Sequence, residues 1–278
     1  MTVASPALGT LHVRAEEGVL FAEIAAPPMN LLGPELVRDL VAFLRTAEAD
    51  EQVKVVVFKS ADPDYFISHV DLTRVAEYRA EAAALTGEPS IASLFHHISA
   101  GRLVTIAQIE GRARGAGSEF VLACDMRFAA RETAILGQFE AAFGQLPGGG
   151  GAQYLARLLG RARALEVMLS ADDYDAELAE RYGWVNRALP AATIDEFVSV
   201  LARRIATFPA AGYAAVKDRV NAITLAPLDD FRRDSDLFGA SVTSPETQRL
   251  IHAAMRNGLQ TPDAELELGA TLGDLGGM

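Results

Sequence analysis

The chain has 278 residues, enough for one large domain or two small ones. A globule of that size removes roughly three quarters of its unfolded surface from water without a disulfide or metal staple. Half of the residues are hydrophobic and 22% are charged, a balance that excludes disordered and fibrous classes. Lys and Arg total 25 against 37 Asp and Glu, a net charge of −12 that repels phosphate backbones and anionic bilayers, so no nucleic-acid or membrane partner is expected. The single cysteine, Cys124, excludes an intrachain disulfide and a cysteine-only metal site. No basic-then-apolar leader opens the sequence, and no apolar run approaches the ~20 residues that span a bilayer. These features together predict a cytoplasmic protein with no metal.

In chain order, Leu11–Ala15 and Val19–Ala25 flank Glu16, Glu17 and Gly18, which predicts a hairpin. Pro34 opens a helix carrying Val37, Leu40, Val41 and Leu44 at helical spacing, and Val53–Phe58 reads as a buried strand. A loop is expected from Ser60 to Val70, then a helix through Leu85 and another near Ile91–Ser99. Val104–Ile109 reads as a strand, followed by a glycine-rich turn, a helix from about Gly117 to Cys124 and a strand from Met126 to Ala129. Alternating strands and helices argue for an α/β architecture. Beyond Gly151 only Trp184–Leu189 reads as a strand, and the remainder is helical in pattern.

The glycine-rich stretches exclude the familiar nucleotide loops. Pro147-Gly148-Gly149-Gly150-Gly151 continues into Ala152 and Gln153 and lacks the Lys and Ser/Thr of a phosphate loop. Gly115-Ala116-Gly117-Ser118-Glu119-Phe120 puts Phe120 where a dinucleotide fingerprint needs its third glycine. Ser118, between Gly117 and Glu119, lacks the Gly-x-Ser-x-Gly spacing of a hydrolase elbow, and adjacent His96 and His97 point to different helix faces. What remains is Glu110 to Glu119, which leaves a strand and enters a helix. Its small residues let another molecule approach peptide N–H groups, and the helix start favours an anion.

Three segments then carry a likeness: Asp64-Tyr65-Phe66-Ile67-Ser68-His69-Val70-Asp71-Leu72, the stretch Gly111–Asp125, and Gly137 through Gln153. In them the sequence resembles the crotonase superfamily, the enoyl-CoA hydratase and isomerase family, best from about Val53 to Leu189. The resemblance implies a ββα spiral core over 1–200 with an acyl-CoA site and a helical region over 201–260 that builds a trimer or a pair of trimers, while the acidic, glycine-containing composition of 261–278 predicts a tail that is mobile or packed on a partner. It implies an acyl-CoA thioester as substrate with no separate cofactor, since coenzyme A is part of that substrate.

By motif, the resemblance places two backbone donors for the thioester oxygen at Val70 and Ala116. It places two acid–base glutamates at Glu119, for the water, and Glu140, for the α-carbon. Ser68, His69, Asp71, Leu72, Met29 and Phe139 are the expected substrate contacts. Two carboxyls facing one cavity should repel and keep one protonated near neutrality. Reversible hydration of a 2-enoyl-CoA is the leading expectation. Isomerisation, thioester hydrolysis or C–C cleavage with His69 taking part, and a non-catalytic acyl-CoA scaffold, are the alternatives.

The sequence departs from the family where Ser68-His69 replaces Ala-Gly, where Phe139 replaces a proline, and where Ala116 replaces a glycine. Read without the family, Glu119 is a helix-start residue, Asp71 a helix cap, Asp125 a strand-start residue, Gly148–Gly151 a tight helix entry, and Cys124 a core thiol. Only Lys54, Lys59 and Lys217 are present as lysines; Lys217 is the candidate for a coenzyme A phosphate, with a solvated helix face as the plainer reading.

Overall fold

The β-branched runs build the frame. The computed structural model describes residues 8–275, so the stretch read for a leader lies largely outside the described residues. β1 (Leu11–Glu16) and β2 (Val19–Ile24) pair antiparallel across Glu17 and Gly18, both at positive φ (49° and 82°), as a two-residue hairpin turn requires. After α1 (Pro34–Ala49) come β3 (Val55–Ser60), β5 (Val104–Ile109), β7 (Met126–Ala130) and β10 (Arg187–Leu189). With the hairpin they form a six-stranded sheet in the order β1-β2-β3-β5-β7-β10, parallel from β2 onward. Val55, Val56, Val57 and Phe58 have no exposed surface, as expected for a parallel strand covered on both faces.

A second sheet escaped the sequence reading. β4 (Tyr65–Ile67), β6 (Arg112–Arg114), β8 (Ile135–Gly137) and β9 (Asp173–Asp175) form a four-stranded sheet in that order. Each strand has three residues, too short to show alternation, and β4 and β6 occupy stretches expected to be loop and turn. The chain lays β3, β5 and β7 in the large sheet, each followed by a strand of the small one, and α4 (Ala116–Ala123) follows the β5–β6 pass. This winding is the expected ββα spiral.

Phe120 of α4 knits the layers. Its ring meets Phe58 at 5.0 Å, Phe95 at 5.7 Å and Phe66 at 6.2 Å, all buried. Those rings come from β3, α3 (Ile91–Ala100) and β4, so one residue aligns both sheets with the helix that bears Glu119. The approach is close enough that a Cβ on Gly117 would lie 1.9 Å from the carbonyl oxygen of Ile67. Glycine is therefore a steric necessity at this position.

The C-terminal half is helical, as expected. α9 (Ala210–Thr224) has no buried residue, and Val216, Val220 and Ile223 share its outer face at 64%, 51% and 78% exposure. Its inner face is pinned by Lys217 Nζ, which donates to the Leu103 carbonyl at 2.7 Å and to Asp125 at 2.9 Å, and by Asn221 on the Ser99 carbonyl. Lys217 is thus neither a solvated face nor free for a phosphate: its side chain is 9% exposed. Lys54 donates to the carbonyls of Ala206 and Phe208, and Lys59 faces Glu23 and Asp195.

Two further expectations change. Asp71 does not cap a helix: α2 (Val75–Thr86) starts later, with Arg74 at its cap position, and Asp71 instead accepts from the Thr73 N–H and hydroxyl. The acidic tail packs on its own chain through α12 (Pro262–Glu265) and α13 (Leu268–Leu275), where Leu268 and Leu272 join Phe139, Phe143 and Ile251 in a second apolar cluster. Residues 276–278 lie outside the described residues.

Substituting Gly117→Ala is expected to cost about 3 kcal/mol or more, because the added methyl meets backbone and no flexible side chain can yield. Chemical denaturation of the purified variant checks this, and a midpoint equal to wild type would contradict the close approach.

Candidate active site

Where the ends of β4 and β6 meet the start of α4, the structure leaves a cavity of about 540 Å³, counting its open mouth. Of the sequence-predicted site residues, His69, Val70, Leu72, Ala116, Glu119, Phe139 and Glu140 line it. Three do not. Met29 and Ser68 are wholly buried away from the cavity lining, and Asp71 is engaged in its turn.

Glu119 sits in the first turn of α4 and is 2% exposed. Its Oε1 accepts the N–H groups of Gly149 and Gly151 at 2.7 and 2.8 Å. The glycine run is the entry to α5 (Gly151–Leu159), as expected, but two of its amides also fix the carboxyl. A side chain at Gly149 would collide: its Cβ would stand 2.6 Å from Glu119 Oε2. Glu140 opens the short 3-10 turn Glu140–Phe143, is 7% exposed, and takes both carboxyl oxygens to Gln138 Nε2 at 2.9 Å.

Burial pushes both carboxyls up. Glu119 stands well above the usual carboxylate range because it is desolvated and faces the charge of Glu140, against which its two amide bonds work. Glu140 is raised to about 7, again chiefly by desolvation, with its backbone bond, Gln138 and the charge of His69 pulling the other way. Both shifts favour the protonated form, with desolvation the larger cause in each.

Two residues that line the cavity have backbone amides without a partner among the described residues. Leu32 N–H donates to His69 C=O at 2.8 Å and Asp71 N–H to Leu32 C=O at 3.2 Å, so the chain around Val70 is stapled on both sides while the Val70 N–H turns away from that bridge. Ala116 is the first residue of α4, where no intrahelical acceptor exists. Among the described residues neither the Val70 nor the Ala116 N–H meets an acceptor, and both residues line the cavity.

His69 is 1% exposed and set edge-on to Phe139, with ring centres 5.4 Å apart. Its Nδ1 lies 2.7 Å from the Val70 carbonyl and its Nε2 lies 2.7 Å from Glu265 Oε1, on α12. Burial opposes its charge, but Glu265 and the Val70 carbonyl together raise its pKa above the ordinary value. Glu265 is lowered: its burial is outweighed by His69, a bond from the Gln260 N–H and the field of Arg114.

The sequence reading missed several wall residues. Tyr78 and Arg79 come from α2, Phe143 and Gln145 follow Glu140, and Ser235 and Phe238 come from α10 (Leu228–Val242). Only contact across the fold brings these together. Glu265 was missed because an acid in an acidic tail carries no local signal. Among the described residues no group of three or more His, Cys, Asp or Glu is arranged to hold a metal ion, and no helix is long and apolar enough to cross a membrane.

An α/β spiral with two buried carboxyls and unpaired amides on one cavity defines a class, and sequence comparison agrees. The profile of the enoyl-CoA hydratase/isomerase family matches residues 14–255, so the chain belongs to that family. Among solved structures it is similar to a Streptomyces avermitilis protein described as a "putative enoyl-CoA hydratase", at 50% identity over 98% of this chain and 99% of that one, with a TM-score of 0.94. An enoyl-CoA hydratase from Mycobacterium avium subsp. paratuberculosis K-10 is 26% identical over 90% and 96% of the two chains, with a TM-score of 0.78. Pseudomonas aeruginosa OdaA is 26% identical over 89% and 99%, with a TM-score of 0.77.

A carboxyl whose pKa is higher folded than unfolded favours the fold in acid and loses that contribution as pH climbs through the folded value. With Glu140 raised to about 7 from an ordinary 4.5, the loss amounts to roughly 3 kcal/mol between about pH 4 and about pH 8. Replacing it, Glu140→Gln, is expected to flatten the pH dependence by that amount and to raise stability relative to wild type on the alkaline side. Denaturation curves at several pH values provide the check, and parallel curves for the two proteins would contradict it.

Proposed function

We propose that the protein catalyses reversible addition of water to a 2-enoyl-CoA thioester. The observation that carries this reading is the convergence on one cavity of two buried carboxyls, Glu119 and Glu140, with two acceptor-free amides, Val70 and Ala116. Those amides suit the thioester oxygen, on which negative charge collects as the enolate forms. Loss of one such donor typically costs about 3 to 4 kcal/mol of transition-state stabilisation.

In the hydration direction Glu119 takes a proton from the attacking water as its oxygen bonds to the β-carbon, and Glu140 delivers a proton to the α-carbon of the enolate. One carboxyl must start ionised and the other protonated, which is the state that a raised, mutually repelling pair adopts near neutrality. The bonds from Gly149 and Gly151 aim Glu119, and Gln138 aims Glu140.

The alternative chemistries assigned a proton-carrying role to His69. Its two ring nitrogens are both engaged, one on a carbonyl and one on Glu265, so no ring lone pair is left to accept a substrate proton. That favours hydration over an outcome that needs His69 as a base. The bare, apolar outer face of α9 supports the expected subunit interface of a trimer or a pair of trimers.

Glu119→Gln and Glu140→Gln are each expected to lower kcat by about 10²- to 10⁴-fold, measured as disappearance of the conjugated thioester on a panel of 2-enoyl-CoA substrates. A variant that keeps wild-type turnover would overturn the two-carboxyl mechanism. Wild-type protein converting none of the panel would overturn hydration itself.

A further inference from the structure

The C-terminal segment reaches into the site more deeply than its acidic composition suggests. Glu265 is fully buried, and its Oε1 accepts the Gln260 N–H at 2.7 Å while facing His69 Nε2 at the same distance. The segment also grips the loop bearing Val70: Gln260 Oε1 accepts the Leu72 N–H at 2.8 Å, and Gln260 Nε2 donates to Asp71 at 3.3 Å. On its other side Arg114, one residue before the Gly115–Ala116 turn, donates to the Glu265 carbonyl at 2.7 Å.

The protonation of His69 follows from its partners. A carbonyl oxygen can only accept, so the Val70 carbonyl demands a proton on Nδ1. A carboxylate held by another N–H likewise asks for a proton on Nε2. Both requirements are met together only by the imidazolium, which stands on the wall of the cavity that holds Glu119 and Glu140.

We propose that Glu265 is a positioning residue for the reaction, which holds His69 doubly protonated so that a fixed positive charge faces Glu140 of the carboxyl pair. The other charged groups around His69 are Arg114 on β6, itself paired with Asp173 at 2.6 Å, and Glu140 in the cavity. Arg114 opposes the imidazolium and Glu265 offsets it. Without that cation Glu140 would hold its negative charge against desolvation with only Gln138 and its own backbone bond in support, and the titration of the pair would move up in pH.

The kinetic arm of the test rests on the hydration reading and the spectroscopic arm does not. NMR titration of ¹⁵N-histidine-labelled full-length protein, with the His69 signals assigned by comparison with His69→Gln, should show His69 doubly protonated above the ordinary value of 6.5 and neutral near pH 7 in Glu265→Gln. On a 2-enoyl-CoA that wild type converts, Glu265→Gln should move the kcat/KM pH profile up by about one to two units, the size expected for a unit charge lost roughly 6 to 12 Å away at an effective dielectric near 20. It should cut kcat at neutral pH about tenfold with KM little changed. Glu265→Asp, which keeps the charge, should restore most of the profile.

A wild-type His69 that loses a proton near 6.5, or a Glu265→Gln profile superimposable on wild type, overturns the proposal. If Glu265→Gln fails to fold, the wild-type titration and the Glu265→Asp profile decide. If wild type converts no enoyl-CoA, hydration fails and the titration still decides the role of Glu265.

Discussion

Two acids confined to one dry cavity are the constraint around which the rest is arranged. Neither Glu119 nor Glu140 has bulk water to solvate its charge, and burying an unsupported carboxylate is costly. The structure answers with short, directed partners from distant parts of the chain. Gly149 and Gly151 lie 30 and 32 residues beyond Glu119, and the charge of His69 acts on Glu140. These partners work only if β4, β6, α4 and the start of α5 are held in register, which is what the phenylalanines around Phe120 and the steric fit at Gly117 accomplish.

This arrangement sets function against stability in a definite way. The same desolvation that raises both carboxyls, Glu140 to about 7, also weakens the fold as pH rises. Acid–base competence and a pH-dependent strain on the native state are one electrostatic fact seen from two sides. Hydrogen bonds to Glu119 from backbone, and not from flexible side chains, reduce the reorganisation needed when its charge changes.

Much of the frame could be read from the letters. The hairpin, α1, β5 and α4 all have apolar periods long enough to declare themselves, and Val104–Ile109 coincides with its strand. The three-residue strands of the small sheet could not declare themselves. Arg112-Ala113-Arg114 looks like a polar turn, and becomes a buried strand only because Asp173 and the Glu265 carbonyl supply partners from 59 and 151 residues away. The same limit explains the site. Seven lining residues of the motif segments were found, from His69 to Glu140, whereas Arg79, Ser235, Phe238 and Glu265 enter by tertiary contact. Lys217 was misread because nothing local shows that Asp125 and the Leu103 carbonyl await it.

The contact between His69 and Glu265 spans 196 residues, and that separation has a consequence for how the molecule comes into being. During synthesis both sheets and the glycine run leave the ribosome well before α12 does, so a nascent chain can complete its core while His69 still lacks its carboxylate. The electrostatics of the pocket are therefore assembled last, after the scaffold that displays them. Loss of the residues from 260 onward would take away Glu265 and the grip of Gln260 on the Val70 loop while leaving both sheets and every cavity-lining residue in the chain.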